Sequence, residues 1–206
     1  MEKLKQVIKN IINDQELHAK WLNTLSLMEN VGARKISASE HPLKVNLIIL
    51  KHAAEEARHA YYLKSQIKKV LPESCPTYET PYLISPLNSY HYLHKLDVAV
   101  SRYLKQELQL TGQDLKFAAY LLVTYAIEVR ADELYPVYHE ALQEAESKVN
   151  IRFIIVEEEG HLEEMKQQLQ AFSPQWEKHA AKACQLESEL FQHWLGQVAD
   201  EVLQMA

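Results

Sequence analysis

The chain has 206 residues, of which 47% are hydrophobic, and its formal net charge is −6 at neutral pH. A chain of this length and composition buries a hydrophobic core without disulfides, which excludes a disordered or disulfide-scaffold protein. The acidic balance argues against binding along a nucleic-acid backbone, which needs a basic face. We expect one domain that spans residues 1–206.

The sequence carries no signal for export or for membrane insertion. Charged residues interrupt the N-terminal segment MEKLKQVIKNIINDQE too often for a signal peptide, and no apolar run approaches the length of a membrane span. Cys75 and Cys184 lie far apart and form no Cys-x-x-Cys motif, so we expect reduced thiols. These features predict a cytoplasmic protein with no membrane partner.

Helical periodicity dominates the chain, and its breaks fall where Pro, Gly, Asn and Asp collect. Pro136 is expected to end or kink a helix, and Ser147 to cap the next one. In chain order, the pattern predicts helices at about 2–12, 15–38, 43–71, 87–109, 113–134, 148–171 and 174–205.

The spacing of these helices predicts an all-α fold with a four-helix bundle. The four long helices, 15–38, 43–71, 113–134 and 148–171, would form two antiparallel hairpins. Segment 72–112 would join the hairpins as a long crossover, as the ferritin-like topology requires. The first and last helices would then be additions to the bundle, and the last one could also support a homodimer contact.

An internal repeat links the two hairpins. Residues 55–67 read EEARHAYYLKSQI, and residues 157–169 read EEEGHLEEMKQQL. Both contain Glu-Glu-x-x-His followed by an apolar residue, and both contain Lys-x-Gln and a final apolar residue. A lone Glu-x-x-His means little in a chain with ten histidines. The extended motif at matching places indicates two copies of one helical pair.

The repeated motifs predict metal ligands. Glutamate and histidine three residues apart share a helix face, and here that face also carries the apolar residues of the core. A carboxylate on a buried face is unfavourable unless it is paired or binds a cation. The preceding helix of each hairpin offers one more glutamate on its apolar stripe, with Glu133 as an alternative to the second. The expected ligands are Glu29, Glu56, His59, Glu128, Glu158 and His161.

The residues next to these expected ligands allow more than one interpretation. Glu55 and Glu157 should face sideways, which favours a surface role over metal binding. Asp132 could orient a ligating histidine, or form a salt bridge to Arg58 or Arg130. Tyr125 could be a hydrogen-bonding or redox-active tyrosine, although a plain core aromatic is the better interpretation.

The order Glu, Glu-x-x-His, Glu, Glu-x-x-His over about residues 15–171 resembles the ferritin-like di-iron carboxylate superfamily. The segments ENVGARKI, EEARHAYYL, IEVRADELYPVY and EEGH are similar in layout to the bacterial tRNA-modifying hydroxylases, although the Pro- and Tyr-rich residues 72–95 and the lack of a basic patch depart from that family. The resemblance implies two iron ions, or Mn or mixed Fe/Mn. One Glu of each Glu-x-x-His would bridge them, and Glu29 and Glu128 would be terminal ligands.

The resemblance also implies a function. The first expectation is a di-iron oxidoreductase that uses O2 and an electron donor to hydroxylate or oxidise an organic substrate, with tRNA left open as a partner. One alternative is an iron-handling ferroxidase or a peroxide-reducing protein of the ferritin or rubrerythrin kind. Another is a metal-free helical interaction module.

Overall fold

The structure is a computed structural model that describes residues 2–205 of the chain. Within these residues it is all-helical, with seven α-helices, two short 3-10 turns and no β-strand. None of these helices combines the length and the apolar character that crossing a membrane requires. The helices are α1 (Glu2–Asn13), α2 (Gln15–Ser39), α3 (Leu47–Gln66), α4 (Pro86–Leu108), α5 (Gly112–Glu144), α6 (Arg152–Phe172) and α7 (Trp176–Met205).

Polar side chains decide where two of the helices begin. Asp14 accepts a hydrogen bond from the backbone N–H of Leu17 and so caps α2. Asn46 has extended backbone angles and accepts from the first backbone N–H groups of α3. The prediction that this helix begins near residue 43 was therefore wrong, because a residue in the extended conformation cannot continue a helix.

The predicted boundaries around α5 and α6 were also wrong. Pro136 does not end α5, which continues to Glu144 with the proline inside it. Pro136 is exposed, so the carbonyl that loses its hydrogen-bond partner lies at the water-facing side of the helix. Ser147 does not cap α6 either: its hydroxyl accepts from the N–H of Val149 in the loop, and α6 begins at Arg152.

The helices pack in two pairs that are tied together by α4 and α7. The α2 helix lies along α3, and α5 lies along α6, each pair joined by a short loop. The α4 helix contacts α2, α5 and α7, while α1 covers one end of α2 and α5. Buried aromatic residues fill one core, where the ring centroids of Trp21 and Trp194 lie 5.7 Å apart. This packing leaves α2, α3, α5 and α6 facing one another.

Candidate metal centre

Six carboxylate and imidazole side chains meet between α2, α3, α5 and α6. They form two overlapping groups of four, and within each group the potential ligand atoms all lie within 4.8 Å of one another. The structure thus brings together all six residues that the sequence analysis selected. One group contains Glu29, Glu56, His59 and Glu158, and the other contains Glu56, Glu128, Glu158 and His161.

The cluster lies in the interior of the protein. Glu128 is 1% exposed, Glu158 is 3% exposed and His59 is fully buried, while Glu29 is only partly buried. Glu133, the alternative to Glu128, is exposed and pairs with a neighbouring arginine. It is therefore Glu128 that belongs to the cluster. Several ionisable groups buried this closely need a compensating partner, because charge is costly to remove from water.

The two imidazoles are held by carboxylates of the opposite helix. His59 Nε2 lies 2.9 Å from Glu157 Oε2, and His161 Nε2 lies 2.8 Å from Glu55 Oε2. An ionised carboxylate only accepts hydrogen bonds, so Nε2 of each ring donates and Nδ1 faces the cluster. As expected, Glu55 and Glu157 are not among the clustered ligands, but their side chains are only 15% and 21% exposed, and their hydrogen bonds to the imidazoles were not expected. The signal that could have found them is the repeat itself, which contains the first glutamate of Glu-Glu-x-x-His in both copies.

Three buried atoms of the cluster have no hydrogen-bond partner. Nδ1 of His59, Nδ1 of His161 and Oε2 of Glu128 are buried and make no hydrogen bond. His59 Nδ1 also lies only 3.0 Å from Glu158 Oε1. Lone pairs that converge without a donor repel one another unless a proton or a cation lies between them. Four carboxylates and two imidazoles in this arrangement can therefore hold a metal ion.

The cluster shifts the pKa values of its own members. Burial, together with the charges of neighbouring carboxylates, raises the pKa of Glu56 and of Glu128 well above the usual range. Burial alone would lower the pKa of His161, but the nearby carboxylates of Glu128 and Glu158 outweigh it and raise that pKa to about 11. Without a cation, protons therefore balance part of the negative charge in the cluster.

A tyrosine holds the most exposed member of the cluster. The hydroxyl of Tyr135 donates to Glu29 Oε1, and Tyr135 is itself buried. Sequence reasoning missed this residue, although it lies seven positions after Glu128 and thus on the same face of α5. Tyr125, the tyrosine that was considered near the site, instead packs edge-to-face against Trp176. It forms no hydrogen bond with the six cluster residues.

The expectations for Asp132 were wrong. Asp132 is exposed, and the hydrogen bonds to the two imidazoles come from Glu55 and Glu157. Neither of the salt bridges considered for it forms. Arg58 pairs with Glu157 and Glu55, and Arg130 pairs with Glu133 and Glu187. The helical spacing placed Asp132 one turn beyond Glu128, but its side chain is exposed while Leu134 and Tyr135 of the same turn are buried.

A third histidine supports the cluster from outside. His52 is fully buried, and its ring centroid lies 4.7 Å from that of His161. Its Nε2 donates to Glu164, at 2.9 Å, and its Nδ1 accepts from the hydroxyl of Tyr120, at 3.0 Å. Both nitrogens of this ring are thus occupied, so His52 packs against His161 and helps to fix its orientation.

A cavity of about 400 Å³ opens onto the cluster. It is bounded by α2, α4, α5 and α7, and Glu29, Glu56 and Glu128 form part of its wall. Most of the remaining wall is apolar, and its rim includes exposed residues of α2 and α5. A small molecule in this cavity would therefore lie next to the carboxylates in largely apolar surroundings.

Comparison with known proteins finds no relative of this chain. No protein-family model, no curated protein and no solved structure matches the chain.

The shifted pKa values predict that metal binding is pH-dependent. A cation must displace the protons on His161, Glu56 and Glu128, so its affinity should rise with pH, by up to about tenfold per unit for each proton displaced. Competition titrations with Mn(II) or Co(II) between about pH 6 and about pH 8 measure this slope. An affinity that does not change with pH would contradict the arrangement of the cluster.

The cost of burying an ionised carboxylate predicts that Glu56 destabilises the metal-free protein. The raised pKa of Glu56 means that its contribution to stability is present at acidic pH and is lost as the pH rises above its unfolded value. Glu56→Gln should therefore raise the free energy of unfolding of the metal-free protein at neutral pH by about 1–3 kcal/mol. Chemical denaturation measures this change in the free energy of unfolding, and Glu159→Gln at an exposed site is the control.

Two outcomes of the denaturation experiment decide whether the Glu56 carboxylate destabilises the metal-free protein. The gain for Glu56→Gln should shrink when the pH is lowered, because the wild-type carboxyl then becomes neutral as well. A Glu56→Gln variant that is less stable than the wild type at neutral pH would mean that the carboxylate is well compensated by the protein alone.

Proposed function

We propose that this protein is a ferritin-like di-iron oxidoreductase that uses O2 to hydroxylate or oxidise an organic substrate. The observation that carries this proposal is the apolar cavity, which ends on three of the six clustered side chains. A metal site that only stabilised the fold would need no such space beside it. A cavity next to the ligands provides room for a substrate and for O2.

Two features of the cluster support a pair of metal ions. Its two groups share Glu56 and Glu158, so these carboxylates would be common ligands of both ions. Each group then adds one imidazole and one further carboxylate of its own. Oxygen donors with one nitrogen per group suit Fe(II) or Mn(II) better than a metal that prefers thiolates, and iron is the metal that also activates O2.

The connectivity supports a ferritin-like arrangement. The hairpins α2–α3 and α5–α6 supply three ligands each, and the long segment that contains α4 joins them. A glutamate from the first helix of each hairpin and a Glu-x-x-His pair from the second is the ligand pattern of di-iron carboxylate bundles. In this chain the crossover helix α4 also forms part of the cavity wall.

The residues around the proposed centre have distinct tasks. The six cluster residues bind the ions, and Glu55 and Glu157 orient the two imidazoles through their Nε2 atoms. Tyr135 donates to Glu29 and holds this carboxylate in place. The largely apolar wall would disfavour water in the space beside the ligands. When bound, ferrous ions would supply the electrons that reduce O2, and an external electron donor would restore them.

Metal loading and O2 uptake test the proposal. Purified protein is reduced, titrated with Fe(II) and exposed to O2. We expect about two irons per chain, fast O2 consumption and an increase in the unfolding temperature with iron. Glu56→Ala should abolish all three effects, whereas Glu159→Ala, an exposed change on α6, should abolish none.

Other results of this experiment would contradict the proposal in different ways. Uptake of many tens of irons per chain would indicate an iron-storage protein. Turnover with hydrogen peroxide in place of O2 would indicate a peroxide-reducing protein. No bound metal, together with an unfolding temperature that Glu56→Ala leaves unchanged, would indicate a metal-free helical module.

A further inference from the structure

The two copies of the internal repeat differ at one position beside the proposed metal centre. Residues 55–59 read EEARH and residues 157–161 read EEEGH, so Arg58 of the first copy corresponds to Gly160 of the second. The imidazoles at the ends of these two segments are held alike, because each donates to the first glutamate of the opposite copy. The one arginine therefore breaks the symmetry of the centre.

Arg58 contacts the carboxylate that holds His59. One guanidinium nitrogen of Arg58 donates to both oxygens of Glu157, at 2.6 and 2.8 Å. Glu157 Oε2, one of these two oxygens, is also the atom that accepts from His59 Nε2. The guanidinium lies over the ring of Phe153, with its central carbon 5.3 Å from the ring centroid, and the same ring packs edge-to-face against His59. The positive charge of Arg58 is thus only one carboxylate away from the His59 imidazole.

The carboxylate that holds His161 has no cation in hydrogen-bond contact. Glu55 Oε2 lies 2.8 Å from His161 Nε2. Two cations approach Glu55, but Arg58 stays 3.7 Å away and Lys51 stays 4.0 Å away. Lys51 donates instead to Glu164, at 2.5 Å. The negative charge of Glu55 is therefore less neutralised than that of the carboxylate that holds His59.

This difference in charge should change how strongly the two imidazoles bind a metal ion. A carboxylate that accepts the N–H of a metal-binding imidazole makes that imidazole a stronger donor. A cation on the carboxylate reduces this effect, and it also repels the metal ion directly. His59 should therefore be a weaker ligand than His161. The number of ligands does not offset the difference, because each imidazole belongs to a group with three carboxylates.

We propose that Arg58 makes the two metal positions unequal, so that the first divalent cation binds at His161 and the second binds more weakly at His59. The position at His161 also contains Glu56, Glu128 and Glu158, and the position at His59 also contains Glu29, Glu56 and Glu158. Arg58 is a positioning residue, since it acts through Glu157 and is not one of the ligands. The inference rests on the proposed function for the presence of two ions at this site.

Stepwise titration of the metal-free protein with Co(II), without O2 and without turnover, tests the role of Arg58. The wild type should bind two ions with unequal affinities. Arg58→Gln should strengthen the second step about threefold to tenfold and leave the first step within about twofold, because it removes the positive charge and leaves the ligands in place. Removal of a residue that only supports the fold would instead weaken binding.

Two matched variants control this titration. Arg58→Lys keeps the positive charge and should retain the weak second step of the wild type. Arg102→Gln removes the same charge from an exposed site of α4 and should change neither step.

The repeat allows a reciprocal test at Gly160. A Cβ atom at Gly160 would have no other atom within 4 Å, so the site has room for a side chain. The correspondence of the two copies predicts that an arginine at this position reaches Glu55 as Arg58 reaches Glu157. Gly160→Arg should therefore weaken the first Co(II) step about threefold to tenfold.

The double variant Arg58→Gln/Gly160→Arg should reverse the order in which the two positions fill. Anomalous diffraction at the cobalt absorption edge, from crystals grown with one equivalent of Co(II), locates the first ion. We expect this ion beside His161 in the wild type and beside His59 in the double variant.

Three results would overturn the role assigned to Arg58. A second Co(II) step that Arg58→Gln weakens would mean that the arginine only supports the fold. A second step that Arg58→Gln leaves unchanged would mean that its charge does not reach the metal position. A first Co(II) ion beside His59 in the wild type would contradict the proposed order of filling.

Failure of this inference can be distinguished from failure of the proposed function. Two unequal Co(II) steps that respond to Arg58→Gln as expected, in a protein that consumes no O2 with iron, would overturn the proposed function and leave the role of Arg58 standing. Iron loading and O2 consumption, with Co(II) steps that do not respond to Arg58→Gln, would do the opposite.

Discussion

The structure depends on how four carboxylates are accommodated in the protein interior. Glu29, Glu56, Glu128 and Glu158 converge from four helices, and two imidazole nitrogens face them without a hydrogen bond. Hydrophobic packing of the surrounding helices has to outweigh the cost of removing these groups from water. That cost is highest when no cation is present. The protein thus gives up stability at this place for a preformed site, which is typical of functional centres.

Each half of the molecule supports an imidazole of the other half. Glu157 on α6 holds His59 on α3, and Glu55 on α3 holds His161 on α6. These hydrogen bonds connect the two hairpins directly, at the height of the cluster. The Arg58–Glu157 ion pair and the His52–Glu164 contact join the same two helices on either side. A change in the distance between α3 and α6 would therefore move the imidazoles of His59 and His161 together.

Local periodicity was enough to select the cluster residues, because each of them lies on the apolar face of its own helix. The partners of the imidazoles could not be selected in this way. Glu55 and Glu157 lie beside that face, and their contacts cross between hairpins that are about a hundred residues apart in the chain. The helix end predicted at Pro136 was wrong for a related reason. Tertiary packing on both sides of Pro136 keeps the chain helical, and α5 continues to Glu144. The cavity could not be predicted, because it depends on how α4 and α7 pack, and the pattern of a single helix does not predict that packing.

We propose that two iron ions share Glu56 and Glu158. Anomalous diffraction at the iron absorption edge, from crystals of the Fe(II)-loaded protein, tests it most directly. We predict two anomalous peaks per chain, about 3.5–4 Å apart as in other two-metal sites, with both shared carboxylates between them. A single peak, a pair of peaks elsewhere in the chain, or no peak among the six residues would contradict the account.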